Sequence, residues 1–417
     1  MTQQRAKATE IVFDKLAEEF EDLLVISDNI ESHSTDAVAG ERSNYTEWQT
    51  MPYINKTEDG LDQTANFKGS VQRVVPTTVN TFKSVPFLFT GTEMNDPDTL
   101  ARLTSSATNA LASEIENNAI DLACRQGTLV VPVLNPLTGF GDVALCDSIM
   151  NEQEVPTADR KLALNSRDYN LMAGNLAARQ LDSSITSEAY RKASLGDVSG
   201  FDTYKMQSSY SLAAATGTTV TMNGASQYYT PKSEDASGPV DSRYQTISIT
   251  VGGGTVAVGD AFTLPLVYSL GHQSKRNSGQ LKTFRIHEIV TGAGGTGTVK
   301  ISPPIISAEG ATAGEEQYKN VSATPADSAE LTFLNTANKQ VNPFWAKNAI
   351  QLLPGKLPMP TGTGAEFRSY TTKNGITIAM SNQWDNNARG TTVRFDVFYG
   401  LAMLQPEMAG ILIGDQL

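Results

Sequence analysis

Two cysteines, three histidines and no long apolar run are what this 417-residue sequence has least of. Cys124 and Cys146 cannot make a disulfide framework or a four-ligand zinc site. His33, His272 and His287 are far apart in the chain, which leaves little material for metal or acid–base constellations. No run of 18 apolar residues occurs, so no helix is expected to span a bilayer. The start, Met1 to Lys7, has no apolar region behind its charges, so the chain reads as made in a cytoplasm without a signal peptide. Basic runs are missing as well. With 32 Lys and Arg against 45 Asp and Glu, the net charge is −13, the wrong sign for a protein that reads nucleic acid through its phosphates.

What is present is an ordinary globular composition, 40% hydrophobic and 18% charged, long enough for two or three domains. Residues 5–26 read as an amphipathic helix, with Val12, Phe13, Leu16, Phe20, Leu23 and Leu24 on one side and Asp14, Glu18 and other acids on the opposite side. A polar stretch without periodicity follows. From Trp48 the pattern is extended around a polar tip, Asn55 to Gly60, and returns through the β-rich, Pro76-broken run Val71 to Phe82. That suits an exposed ribbon, whose edges ask for a partner.

Asp96-Pro97 is a helix start, and apolar residues then recur every three or four positions from Leu100 to Leu122 before Gly127 closes the helix. About 30 residues at 1.5 Å each make a rod of roughly 45 Å. Residues 128–211 mix short strands and helices, with helix starts at Asn165 and Thr186. From Ala213 to Ala337 the chain is rich in Gly, Ser and Thr with short β runs at Thr218–Met222, Tyr244–Val251, Ala261–Val267, Thr283–Val290 and Thr298–Ile301, an all-β module inserted into a larger α+β domain. Strands are expected again at Gly375–Met380 and Thr391–Leu401.

No motif carries catalysis. Gly292-Ala-Gly-Gly-Thr-Gly297 has dinucleotide-binding spacing, but a strand follows it where that chemistry needs a helix N-terminus, so it reads as a hairpin turn. The thiols have no nearby histidine and read as buried core. The carboxylate pairs Glu58/Asp59 and Glu315/Glu316 fall in polar, loop-like stretches without the desolvation that separates catalytic pKa values.

The order of these elements, together with Ser187-Glu-Ala-Tyr-Arg191, Gly200-Phe-Asp202, Asn342-Pro-Phe-Trp-Ala-Lys-Asn-Ala-Ile350, Phe398-Tyr-Gly400 and Pro406-Glu407, resembles the tailed-phage major capsid proteins, whose fold is shared with herpesvirus shells (HK-ninety-seven-like). The narrower resemblance is to coat proteins of short-tailed Salmonella-type phages that carry an insertion domain. It implies an N-terminal arm at 1–47, an extended loop at 48–83, a peripheral domain with a spine helix at 84–127 and an axial domain at 128–212. An inserted, barrel-like all-β domain at 213–337 follows, then a second axial part at 338–385 and peripheral return strands at 386–417.

The implied function is a non-enzymatic major capsid protein without cofactor. It would form hexamers and pentamers of an icosahedral procapsid around scaffolding protein and a portal, and enclose double-stranded DNA without reading it. The resemblance implies Asp14 and Glu18 as scaffold contacts, and Glu58, Asp59, Asp241 and Arg243 as intersubunit contacts, the last two on a projecting loop from Lys232 to Arg243. A cargo-enclosing shell of the same fold and a β-rich adhesion protein are the alternatives; the second predicts a signal sequence.

Overall fold

The computed structural model describes residues 13, 19, 20, 23–39, 45–51, 59–64, 67, 69–90, 97–178, 195–359, 364–387 and 389–416. The chain divides into two compact units. The first holds Met1–Glu47, Thr77–Ala119 and Ile350–Ala402; the second holds Trp48–Pro76, Ile120–Ala349 and Met403–Leu417.

The helix expected from Asp96 onward runs Pro97–Gln126 and is continuous for 30 residues. Ala107, Leu111, Ile115 and Ala119 line its buried stripe at helical spacing. Gly127 ends it by donating its amide to Ala123 O at 3.0 Å. A side chain there would meet the Gly410 backbone at 2.9 Å, so close approach of the next strand requires glycine.

In the first unit, Gly390–Met403 lies between Thr377–Asp385 and Thr81–Thr90 in a sheet that also holds Glu366–Thr371, Ile350–Pro354 and Glu31–Ser32. One face of this sheet meets the spine helix. Lys83 pairs with Glu114 at 2.6 Å, and Asn118 donates to the Tyr399 hydroxyl at 2.7 Å. The expected arm helix falls mostly outside the described residues, but Phe13, Glu19, Phe20 and Leu23 are helical and Phe20 is buried. Glu116 of the spine helix fastens the arm's end, accepting Ile26 N at 2.7 Å and Ser27 N at 2.9 Å as well as the Ser27 hydroxyl.

The body sheet of the second unit runs Leu129–Pro132, Ala409–Ile413, Lys339–Ala346, Arg160–Leu164, Phe201–Lys205, Asp197–Val198, with Tyr210–Leu212 also on Lys339–Ala346. Asn165 caps the helix Ser166–Ala178 as expected, its side-chain oxygen accepting the Arg167 and Asp168 amides at 3.0 Å each. Ile350–Met403 builds strands of the first unit's sheet, whereas Ala409–Ile413 returns to the body. All five residues of that last strand are buried, and it has a strand on each side, Leu129–Pro132 and Lys339–Ala346.

The inserted segment makes its own antiparallel sheet: Thr218–Met222, Gln245–Gly253, Gly295–Ser302, Asn277–Thr291, Ala261–Leu270, Thr332–Phe333. It closes on itself. Leu331 N donates to Val220 O at 2.8 Å and Met222 N to Ala329 O at 2.9 Å, joining the last edge to the first. Closure removes both free edges. Val220, Ile249, Phe262, Phe284, Ile286 and Val299 fill the interior. The glycine-rich Gly292–Gly297 is the hairpin that joins Asn277–Thr291 to Gly295–Ser302, with Thr291 opposite Thr298. A side chain at Gly297 would stand 2.2 Å from Gly292 O, which is why the turn carries glycine there.

Candidate assembly surfaces

The ribbon pairs Tyr45–Thr50 with Val74–Val79. Its described tip is a small self-bonded turn. Gln63 Nε2 donates to Gly60 O at 2.6 Å, and Asp62 accepts Thr64 N at 3.0 Å. Asp59 is exposed beside this turn; Glu58, Asp14 and Glu18 lie outside the described residues. Leu61 and Phe67 are 104% and 87% exposed, two large apolar side chains held in solvent.

The return root of the ribbon is buried on the inserted barrel. Arg73 is 4% exposed, donates to Ser242 O and lies over the Tyr318 ring at 5.2 Å. Val71 N donates to Gln317 Oε1 at 3.3 Å, and Val74 bridges to Asp241 in parallel. The ribbon is therefore rooted on the same segment that was expected to project. Within Lys232 to Arg243 the exposed residues are Lys232 and those of the small hairpin that pairs Glu234–Asp235 with Gly238–Pro239. Asp241 and Arg243 stand at its root.

There they pair with each other inside one chain. Arg243 Nε reaches Asp241 Oδ1 at 2.9 Å and Nη2 reaches Oδ2 at 2.8 Å, while Nη1 donates to Met403 O at 2.8 Å. Arg243 is buried, and three of its donor atoms are committed. Within the single chain Asp241 and Arg243 are thus paired with each other, Asp241 half-buried and Arg243 buried, and Arg73 donates to the carbonyl of Ser242 between them. Glu315, read as a solvated loop residue, is corrected. It is buried in the helix Ala313–Tyr318 and accepts the Thr230 hydroxyl at 2.5 Å.

A second set of residues was not visible in the sequence. Strand Asn277–Thr291 carries Lys282-Thr-Phe-Arg285-Ile, all buried. Phe284 and Ile286 belong to the barrel core, whereas the alternate residues grip the body. Thr283 donates to Thr128 O at 2.8 Å. Arg285 donates to Cys124 O and, at 3.1 Å, to Gly127 O, buried carbonyls at the end of the spine helix, where a cation also opposes the helix dipole.

Lys282 pairs with Glu407 at 2.8 Å and donates to Gln153 Oε1 at 2.8 Å; Asn320 Nδ2 adds a bond to Glu407 at 3.1 Å. Burial pushes the Glu407 carboxyl up, but Lys282, His272 and Arg73 outweigh it and hold the group below the usual carboxylate range. His272, buried beside this cluster, is held down to about 4 by desolvation. Next to it, Glu154 accepts the Gln273 and Ser274 amides at 2.6 and 2.8 Å and so pins the hairpin tip of the barrel. The one sequence signal was Glu407 itself, an acid beside a proline in an otherwise apolar C-terminal run. Cys124 and Cys146 are buried and their thiols are pushed far up by desolvation, which keeps them protonated and unreactive.

Similar solved structures include phage capsid proteins. The capsid of cyanophage P-SCSP1u matches over 94% of this chain and 88% of its own, at 11% identity and a TM-score of 0.43. The head of Helicobacter pylori bacteriophage KHP40 matches over 93% and 87%, at 9% identity and 0.37. The CUS-3 coat protein I-domain matches 28% of this chain and 95% of its own, at 38% identity and 0.23. A family model described as the P22 coat protein, gene protein 5, matches residues 1–414, and the chain therefore belongs to that family of phage major capsid proteins, the proteins of the virion shell.

Proposed function

We propose that this capsid protein assembles as hexamers and pentamers of an icosahedral procapsid, around a scaffolding protein and one portal, and that the shell rearranges as double-stranded DNA is packaged. The observation that carries the reading is the ribbon: it has an ordered root on the barrel and a tip that holds Leu61 and Phe67 out in water. Large apolar groups on a two-stranded ribbon are unfavourable in a free subunit and become favourable once a neighbouring copy covers them, at about 25 cal/mol for each Å² removed from water.

Asp59, at the same tip, and Glu58, next to it in the sequence, are the charges that we assign to contact with a neighbour. Asp241 and Arg243 serve assembly from within, by holding the hairpin that carries Glu234 and Asp235 outward. A net charge of −13 suits a wall that encloses DNA without trapping it. We assign the chain no catalytic role.

Expressed with its scaffolding protein, the chain should sediment as shells of megadalton size. A stable monomer under those conditions overturns the reading. The arm supplies a second test. Asp14 and Glu18 are four residues apart in the sequence, and each exposed pair with a basic partner contributes only roughly 0–1 kcal/mol, multiplied by the many copies in a shell. Asp14→Asn with Glu18→Gln should lower the scaffold content of shells, and raised salt should lower it in the unaltered protein too, by screening. Normal scaffold content in the double variant removes the arm from the contact.

A further inference from the structure

The two elements that this chain turns outward, the ribbon and the hairpin of residues 234–239, start from one buried junction. On the ribbon side, Met51 N donates to Arg73 O at 3.0 Å and Gln72 Nε2 to Met51 O at 3.0 Å, so both ribbon strands are fixed to each other at this level. Met51 and Val75 pack with Leu404 in a small buried cluster of their own. On the hairpin side, the stem is closed by Val240 N on Ser233 O and by the Ser242 hydroxyl on Lys232 O, both at 3.1 Å. Arg243 ties this stem to the carbonyl of Met403, the residue before Leu404, at 2.8 Å.

Ser242 joins the two sides. Val74 bridges Asp241 in parallel, and Ser242 N donates to Val74 O at 3.5 Å, which is a long and weak bond. Arg73 supplies the stronger one. Its buried guanidinium donates to Ser242 O and lies over the Tyr318 ring at 5.2 Å. A planar fork held against a ring has little rotamer freedom left, so it fixes direction as well as distance.

We propose that Arg73 is a positioning residue that makes the ribbon and the hairpin one lever, so that a neighbouring copy seated on either element also orders the other. This rests on the shell reading and adds a coupling between two of its contact elements. Such coupling is reciprocal, and ordering supplied by the first contact is not required again by the second. In a growing shell it favours subunits held at both places over subunits held at one.

Amide hydrogen exchange of the free subunit, read by mass spectrometry, tests the junction directly. Arg73→Lys keeps the positive charge that helps to hold Glu407 ionised, but an ammonium has no plane to lay on Tyr318 while it aims at Ser242 O. Urea unfolding of this variant should therefore stay close to the parent. Exchange at Met51 and Val240 should nevertheless rise together by about tenfold, the scale of one hydrogen bond to a charged group. Val256, which bonds Ala293 O elsewhere on the barrel, should exchange as before. Exchange that rises at Val256 as much as at Val240 makes Arg73 a general support of the barrel and overturns the proposal, and so does an unchanged Val240. If Arg73→Lys does not fold, Tyr318→Leu, which removes the ring and leaves the guanidinium, should give the same pattern. In shells of the unaltered chain Met51 and Val240 should slow together, and in Arg73→Lys shells Met51 alone; equal slowing of Val240 in both overturns the coupling. Absence of shells from the unaltered chain refutes the shell reading itself, and the free-subunit result is distinguished from it.

Discussion

Replacing Lys282 by methionine is expected to destabilise the subunit by about 3–5 kcal/mol, the scale for breaking a buried ion pair by removing one partner. Lys282 and Glu407 are both buried, and Glu407 would be left as an interior carboxylate without its ion-pair partner, keeping the Asn320 amide bond and the more distant charge of Arg73. Methionine keeps the stem's packing, so the loss reports charge and not volume. The double variant Lys282→Met, Glu407→Met should recover most of it, since the desolvation of both ions disappears together. Urea unfolding of the free subunit, followed by the fluorescence of its tryptophans, measures each step. A single variant within about 0.5 kcal/mol of the parent, the range of an ordinary surface change, would show that this pair does not hold the barrel to the body.

Acid should loosen the same place. The His272 imidazole is held down to about 4 in the folded chain against 6.5 in a solvated one, mainly by burial; Glu407 pulls upward, and Lys282, Lys275 and Arg73 push down with the desolvation. Between those two values the unfolded chain binds a proton that the folded chain does not. The contribution is therefore constant above pH 6.5 and is lost progressively as pH falls toward 4, by about 3 kcal/mol in all for one imidazole.

Glu407 acts lower down. Its folded pKa lies below the ordinary 4.5, so its stabilisation is present above that value and fades only as pH falls further. The two groups separate by window. His272→Gln should flatten the stability of the subunit between pH 6.5 and 5 while leaving the steeper loss below 4.5 in place. An unchanged slope in the upper window would mean that His272 is solvated or already charged.

The sequence by itself determined the elements whose signals are local. The spine helix follows from Pro97, a three-and-four apolar spacing and Gly127; the cap at Asn165 follows from its own side chain. Four barrel strands stand within about three residues of their β-rich runs and the fifth, Asn277–Thr291, starts six residues before its run, because turn glycines and branched residues act over short stretches. The resemblance carried by short strings such as Pro406-Glu407 led to the right family before any fold was known.

Tertiary structure decided what each polar face would meet. Thr283 and Arg285 alternate with Phe284 and Ile286, and in a sequence that pattern reads as a strand with one side in water. The body covers that side instead, and the end of the spine helix provides the carbonyls that satisfy Arg285. Asp241 and Arg243 read as surface charges for the converse reason. They pair with each other instead, and Arg73, about 170 residues earlier in the chain, bonds the peptide between them. Likewise nothing near Ala409–Ile413 states that it returns to the body sheet while Gly390–Met403 does not. Periodicity records which side of an element is apolar, whereas the partner of the other side is set by contacts distant in sequence, and in this protein those contacts place the barrel and root the ribbon.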